Sequence, residues 1–383
     1  MKLTAELLTA LGEAAARPPD QARAMPGGLY CSEDIYRLEQ ERIFRHGWLC
    51  AGRAAEIPEP GDYLTYSIGE QPVLVLRDRH GRIRAFSNVC LHRMMILAEG
   101  RGQCREIVCP YHAWTYDLDG QLLGAGQMRQ SAGFDPRHFR LPELRCEIWQ
   151  GWIYVTLDSA LPSLAGALAP LAGVVDRYAM AEYVPVIQQD QVWQTNWKLL
   201  NENFMEGYHG PVVHRTTVGA GVAVADTEFP EPRGEAFTYS TFTKPETARY
   251  GRAHPDNRRL QGRWRYTAVL PTVFPCHSFS LSPDYLWYLS LRPRGPGEVA
   301  VRIGVSIAPE NHAAETDLPG YIRTLEGFFD QVNAEDRMTV EGLYRGIQAP
   351  LATGGPLSWL ERELHDFIRY LARRLVPEDG GAP

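Results

Sequence analysis

The sequence has no basic excess. Its 39 Lys and Arg residues stand against 46 Asp and Glu, a formal net charge of −7. This argues against a partner such as nucleic acid or an anionic membrane surface, which would call for a basic face or stripe. No apolar run reaches the roughly 18 residues that a membrane-spanning helix needs. No internal repeat or low-complexity tract is present, so solenoid and linker architectures are excluded. A paired-cysteine framework is missing too: the seven cysteines are odd in number and scattered over positions 31 to 276. In a large chain that pattern points to buried thiols, with any functional ones acting as metal ligands. The first residues, MKLTAELLTALGEAAARPPD, lack the uninterrupted apolar stretch of a signal peptide. Leu3, Leu7, Leu8 and Leu11 follow helical spacing, which predicts a short surface helix on a cytoplasmic protein.

What is present is ordinary globular composition, 44% hydrophobic and 22% charged, over 383 residues. That length suits two domains. Ser32 followed by Glu33 and Asp34 reads as a helix start, with the helix running to about Phe44. GDYLTYSI, PVLVLRD and IRAFSNV are short β-type runs, the last two joined by a DRHGR turn. Residues 46–155 are therefore expected to form a small antiparallel β domain. Residues 1–45 and 156–383 are expected to form an α+β domain, an antiparallel sheet covered by helices. In that second part VIQQDQVW (186–193) and VAVRIGVSI (299–307) read as strands. The latter alternates so cleanly that one face is expected over a core. NWKLLNENFMEGYH (196–209), 318–346 and 355–375 read as helices, and the Gly- and Pro-rich stretch 217–262 as a long loop or lid.

Two loops of the first domain carry chemistry. CLH places Cys90 and His92 one residue apart, and CPYH places Cys109 and His112 two apart, with sixteen residues between the pairs. Two thiolates and two imidazoles in neighbouring loops hold one zinc, or a [2Fe–2S] cluster with both histidines on one iron. The stretches CLHRMMILAEGRGQC and CPYHAWTYDLDGQLLG resemble the two cluster loops of the Rieske family. The resemblance implies that Cys90 and Cys109 bind one iron and His92 and His112 the other. Glycines common in that family after the His-Arg pair and after the second histidine are replaced by Met94 and Ala113, which bears on loop packing and cluster exposure. Cys104 does not fit as a ligand and reads as structural.

A second constellation lies at NENFMEGYHGPVVH. Glu206 and His209 are i,i+3 on the expected helix, and Gly210-Pro211 should end or bend it so that His214 returns toward His209. Two histidines and one carboxylate make a facial triad for non-haem Fe(II), with positions left open for dioxygen and substrate. The carboxylate is read from 325–343. There Leu325, Phe329, Val332, Val340 and Leu343 fall on one helical stripe with Asp336 in its middle, while Glu326, Asp330, Glu335 and Glu341 point elsewhere. A carboxylate on an apolar stripe needs a cation: iron, or the arginine of an ordinary buried pair. Glu206 is the nearer alternative.

With this constellation the chain resembles the catalytic α subunit of a Rieske non-haem iron oxygenase over nearly its whole length. Glu206-x-x-His209-x-x-x-x-His214 and Asp336 match that family's motif. The resemblance implies a mononuclear iron on His209, His214 and Asp336. It implies that Glu206 is no ligand, but joins His112 of one subunit to His209 of the next in a homotrimer. It further implies NAD(P)H electrons delivered by a flavin- or ferredoxin-type reductase, and insertion of oxygen from O2 into a small organic substrate by mono- or dioxygenation. A Glu rather than the more usual Asp at position 206 resembles the group acting on carnitine- and betaine-type ammonium compounds. Hydroxylation or oxidative demethylation of such a compound is therefore the leading expectation, with oxygenation of an aromatic acid as the alternative. An ammonium needs an aromatic cage, drawn from Tyr208, Tyr239, Phe242, Tyr250, Trp264, Tyr266, Trp287 and Tyr288. A carboxylate would want an arginine, from Arg215, Arg249, Arg263 and Arg265. A Rieske electron carrier without oxygenase activity would need only the first domain, and a zinc-stabilised module would be colourless.

Overall fold

The computed structural model describes residues 2–219, 224–231, 233–247 and 250–377. The chain divides into two units, Phe44–Leu164 and a second made of Met1–Ile43 with Ala165–Pro383.

The smaller unit is all antiparallel. Its strands are β1 (Leu49–Arg53), β2 (Asp62–Ile68), β3 (Gln71–Arg77), β4 (Ile83–Ser87), β5 (Arg101–Gln103), β6 (Ile107–Val108), β7 (Thr115–Tyr116), β8 (Leu122–Gly124), β9 (Glu143–Trp149) and β10 (Trp152–Thr156). Seven of them form one sheet in the order β1-β10-β9-β4-β3-β2-β5, and β6-β7-β8 form a second. The β3–β4 turn is built by Asp78, whose Oδ1 accepts the N–H groups of His80 and Arg82 at 2.8 and 2.9 Å. Leu74, Leu76, Phe86, Ile107, Trp114, Tyr116 and Leu122 fill one core, and Cys90 and Cys109 are buried within it.

The larger unit is a seven-stranded antiparallel sheet with helices against it. Its strands are β11 (Val184–Trp193), β12 (Thr227–Glu228), β13 (Phe237–Thr243), β14 (Thr267–Val273), β15 (His277–Leu281), β16 (Tyr285–Gly295) and β17 (Glu298–Ile307), in the order β11-β17-β16-β15-β14-β13-β12. The helices that matter here are α1 (Lys2–Ala16), α2 (Glu33–Glu39), α3 (Trp197–Phe204), α4 (Gly210–Val213), α5 (Leu318–Ile347) and α6 (Arg362–Leu375). α3 starts at Asn196, whose side chain accepts the Lys198 N–H at 2.9 Å. It is tied to α2 by a buried ion pair between Lys198 and Glu39, and by the Trp197 indole N–H donating to Glu39 at 2.8 Å. Among the described residues no helix is long and apolar enough to cross a membrane.

Several local readings change. β17 is buried on both faces along almost its whole length, so its alternation does not mark a solvent face. The helix from Glu33 gives way after Glu39 to one π turn over Gln40–Phe44. α3 stops at Phe204 rather than 209, and Gly210-Pro211 opens the next helix instead of ending this one. The final helix begins at Arg362; a capping box at Ser358 and Glu361 precedes it. The stretch read as a lid, 217–262, contributes β12 and β13 to the sheet.

Candidate active site

In the smaller unit the two Cys-His loops share one hydrogen-bonding scheme. The Cys90 N–H donates to Met95 O at 2.8 Å and the Met94 N–H returns to Cys90 O at 3.1 Å. In the second loop Cys109 N–H donates to Trp114 O at 2.9 Å and Ala113 N–H to Cys109 O at 3.0 Å. Closing each loop demands a left-handed residue four positions after the cysteine, and these are Met94 (φ 58°) and Ala113 (φ 54°). Those are the two positions where glycine would carry no Cβ strain. The loops bring Cys90 and Cys109 into mutual contact and set the His92 and His112 rings 4.6 Å apart, centroid to centroid. The His92 ring stacks on Trp114 at 4.8 Å. Its Nδ1 is buried without a hydrogen-bond partner among the described residues, an orphan that a metal would satisfy. Tyr116 accepts the Leu91 N–H at 3.0 Å, which leaves its own proton for the Cys90 sulfur 3.4 Å away. Two clustered thiols and two facing imidazoles fit a [2Fe–2S] cluster. All seven cysteines are free thiols.

In the larger unit His209, His214 and Asp336 converge, with one donor atom from each lying within 4.8 Å of the others. Asp336 Oδ1 is 3.0 Å from His214 Nε2 and 3.6 Å from His209 Nε2. Facial ligands about 2.1 Å from one ion stand about 3 Å apart. Each imidazole is oriented from behind. Glu206 holds His209 twice, at Nδ1 (2.5 Å) and at the backbone N–H (3.1 Å). Glu335 holds His214 Nδ1 at 2.8 Å and also accepts the Thr217 hydroxyl at 2.6 Å. Burial works to raise the Glu335 carboxyl, but these donors outweigh it and hold it below the usual carboxylate range. With both Nδ1 protons given to carboxylates, both Nε2 lone pairs face the site, and buried Asp336 Oδ1 accepts no hydrogen bond there. Three acceptors aimed at one point repel unless a cation sits among them, so the residues fit a metal.

Glu335 is the residue the sequence misplaces. One position before Asp336 on α5, it turns to His214 rather than away. Leu343, placed on the buried stripe, is 47% exposed, and Asn333 is buried instead. Beside the triad lies a cavity of about 180 Å³. Phe204, Phe229, Phe242, Tyr285, Trp287 and Phe329 supply its rings, with Lys244 and Glu363 among its polar lining. Of the cage candidates only Phe242 and Trp287 line it. Tyr288 faces His277, Trp264 packs under Arg177, and Tyr208 is exposed. None of Arg215, Arg263 and Arg265 lines it: Arg263 pairs with Glu228, and Arg265 donates to backbone carbonyls of Asn257 and His254. Arg249 lies outside the described residues.

Comparison with known families matches residues 180–376, more than half of the chain, to the ring hydroxylating alpha subunit (catalytic domain), and residues 47–143 to the Rieske [2Fe-2S] domain. The chain belongs to the Rieske oxygenase alpha subunits. This Rieske oxygenase is an oxidoreductase with a [2Fe–2S] cluster and a mononuclear iron. It is 28% identical over 367 residues to the chloroplastic choline monooxygenase of Spinacia oleracea, covering 94% of this chain and 80% of that one. It is 36% identical over 209 residues to the glycine betaine monooxygenase oxygenase subunit of Pseudomonas aeruginosa, a match spanning 54% of this chain and 47% of that protein. Its fold is that of the quaternary ammonium Rieske monooxygenase CntA solved with L-carnitine (TM-score 0.78, 22% identity, 94% of this chain and 98% of that one). It is equally that of naphthalene 1,2-dioxygenase from Rhodococcus sp. (TM-score 0.81, 23% identity, 99% of both chains). The fold by itself therefore does not choose the substrate.

Proposed function

We propose that this Rieske oxygenase is the terminal component of a two-part system that oxidises a small quaternary ammonium compound, with electrons from a separate NAD(P)H-dependent reductase. The observation that carries the reading is the cavity: six aromatic rings lie beside a three-ligand iron site, and no arginine lines it among the described residues. An ammonium that cannot donate hydrogen bonds is held by ring faces. Relatives that act on choline, glycine betaine and carnitine support this choice.

We assign Cys90, His92, Cys109 and His112 to the cluster and His209, His214 and Asp336 to the iron. When bound, these groups supply electrons and dioxygen activation. The chain's own contribution is placement. Glu206 and Glu335 fix the imidazole tautomers, the Trp287–Phe329 stack at 5.6 Å gives the cage a rigid wall, and the apolar lining excludes water. In the net reaction an N-methyl C–H becomes C–OH. One oxygen atom of O2 enters the substrate, and the other leaves as water with two electrons and two protons. The N-hydroxymethyl product then releases formaldehyde and a tertiary amine.

We further assign Glu206 as the link between His209 and His112 of a neighbouring copy in a homotrimer. His112 is exposed at the tip of its loop beside half-exposed Tyr111, which leaves it available to such a neighbour. Turnover with a surrogate reductase tests the function, using choline, glycine betaine, carnitine and benzoate. Formaldehyde or hydroxylated product from an ammonium compound is expected. Product from benzoate alone would move the protein to the aromatic-acid reading.

A further inference from the structure

The cavity assigned to an ammonium group also holds a lysine. β13 and its continuation present Ser240, Phe242 and Lys244 at alternate positions, so all three fall on one face, and all three line the cavity. The Lys244 backbone N–H still donates to Tyr266 O at 2.9 Å, so the sheet ladder fixes where the side chain starts. Its Nζ lies 5.9 Å from the Tyr285 ring centroid. Tyr285 packs edge-on against Phe329 at 5.5 Å, and Phe329 stacks with Trp287. A protein cation therefore stands at the edge of the ring cluster that would take a substrate cation.

Among the described residues Lys244 has no ion-pair partner. Its side chain makes one long donation, 3.4 Å to Tyr250 O. Asp284 is near enough to feel its charge; burial pushes that carboxyl up, its Oδ2 takes the Gly251 N–H at 2.7 Å, and its Oδ1 is buried without a hydrogen-bond partner among the described residues. Glu363, the cavity's other carboxyl apart from Glu206 and Asp336, is likewise pushed well above the usual range by burial, which favours its neutral form. A substrate carrying only positive charge would meet the Lys244 ammonium as a like charge in a space of about 180 Å³. A substrate with a carboxylate a few bonds from its ammonium turns that repulsion into a charge-assisted hydrogen bond.

We propose that Lys244 receives the carboxylate of a zwitterionic substrate, and so selects a betaine-type compound over a cationic alcohol with the same trimethylammonium head. This rests on the quaternary-ammonium reading above and narrows it. A flexible ammonium stem, unlike an arginine fork, adapts to carboxylates at slightly different distances from the ring cage.

The test compares glycine betaine, its methyl ester and choline on the reconstituted wild-type enzyme, then on Lys244→Met and Lys244→Arg. Met keeps the stem's bulk against Tyr285 without the charge. The wild type is expected to favour glycine betaine over both the ester and choline in kcat/KM. Lys244→Met should raise the KM for glycine betaine by about 10- to 100-fold while lowering that for choline, and Lys244→Arg should recover part of the loss. A wild type that prefers choline or the ester overturns the proposal, and so does a Lys244→Met variant that weakens betaine and choline equally. The ester comparison needs no variant, so the proposal stays testable if Lys244→Met fails to fold. Benzoate runs alongside: its turnover with no reaction of any ammonium compound overturns the parent reading, an outcome distinct from choline preference.

Discussion

Glu335 is the most direct lever on the iron site that contributes no ligand atom. Its carboxylate meets His214 Nδ1 at 2.8 Å, the Thr217 hydroxyl at 2.6 Å and the Gln331 amide at 3.1 Å. Glu335→Ala removes all three contacts. A hydrogen bond to a charged group contributes about 1.5–3 kcal/mol, but only the bond to His214 is linked to metal binding. Loss of such an orienting partner costs about 10- to 100-fold in metal affinity, or about 1.4–2.7 kcal/mol. Glu335→Gln keeps an oxygen for the Nδ1 proton and gives up the charge, so it should fall near the lower end; Ala should fall near the upper. The assay is Fe(II) affinity by anaerobic chelator competition, with the visible absorbance of the Rieske cluster as an internal control. Wild-type affinity in both variants would refute the reasoning. Parallel loss of iron and cluster absorbance would also refute it, because the effect would then be on folding rather than on the imidazole.

Met94→Gly and Ala113→Gly should each stabilise the protein or leave it unchanged. Relief of a left-handed Cβ is worth about 1–2 kcal/mol, and added unfolded-chain entropy takes back about 0.4–1. Met94 is 81% exposed and loses no packing, so a lower urea midpoint would contradict the strain argument. Glu202 is pushed up to about 8, first by burial, against the opposing hydrogen bond from Tyr30 and the charge of Lys198. Its folded value exceeds its unfolded one, so its contribution is full in acid and is lost as pH rises toward 8, at up to about 1.4 kcal/mol per pH unit. Urea melts between about pH 5 and pH 8 should show a flatter slope for Glu202→Gln, and parallel curves would count against the assignment. Glu206→Gln should weaken iron binding by about tenfold at most, as at Glu335, yet with iron in excess it should still slow turnover by about tenfold or more, with the cluster still reducible. Undiminished turnover would remove Glu206 from the path between centres.

The residues proposed as metal ligands were legible because their chemistry is local. Cys90-x-His92, Cys109-x-x-His112 and the Glu206–His214 segment each sit in one short stretch of chain, and Asp336 betrays itself as an acid on an apolar stripe. What the sequence hid depends on tertiary surroundings. Glu335 is one residue and about 100° of helix from Asp336, and only the return of α4 against α5 gives it His214 as a partner. β13 reads FTYSTFT and is buried on both faces with Thr238, Ser240 and Thr241 inside. Its polar residues erased the alternation, and the strand passed for a lid. The cavity rings Phe204, Phe229, Tyr285 and Phe329 come from two helices, a loop and a strand, with no shared spacing to reveal them. Lys244 continues from the same strand into the cavity, where the sequence suggested an arginine only for the aromatic-acid alternative.

Both proposed metal centres should act together on an ammonium substrate. The most direct test is a single turnover: chemically reduced protein is mixed with O2, with and without glycine betaine, following cluster absorbance and amine product together. Cluster oxidation coupled to product is expected in the wild type, and an intact cluster without product in Asp336→Ala. Product formation by Asp336→Ala, or cluster oxidation without ammonium product in the wild type, would contradict that joint action.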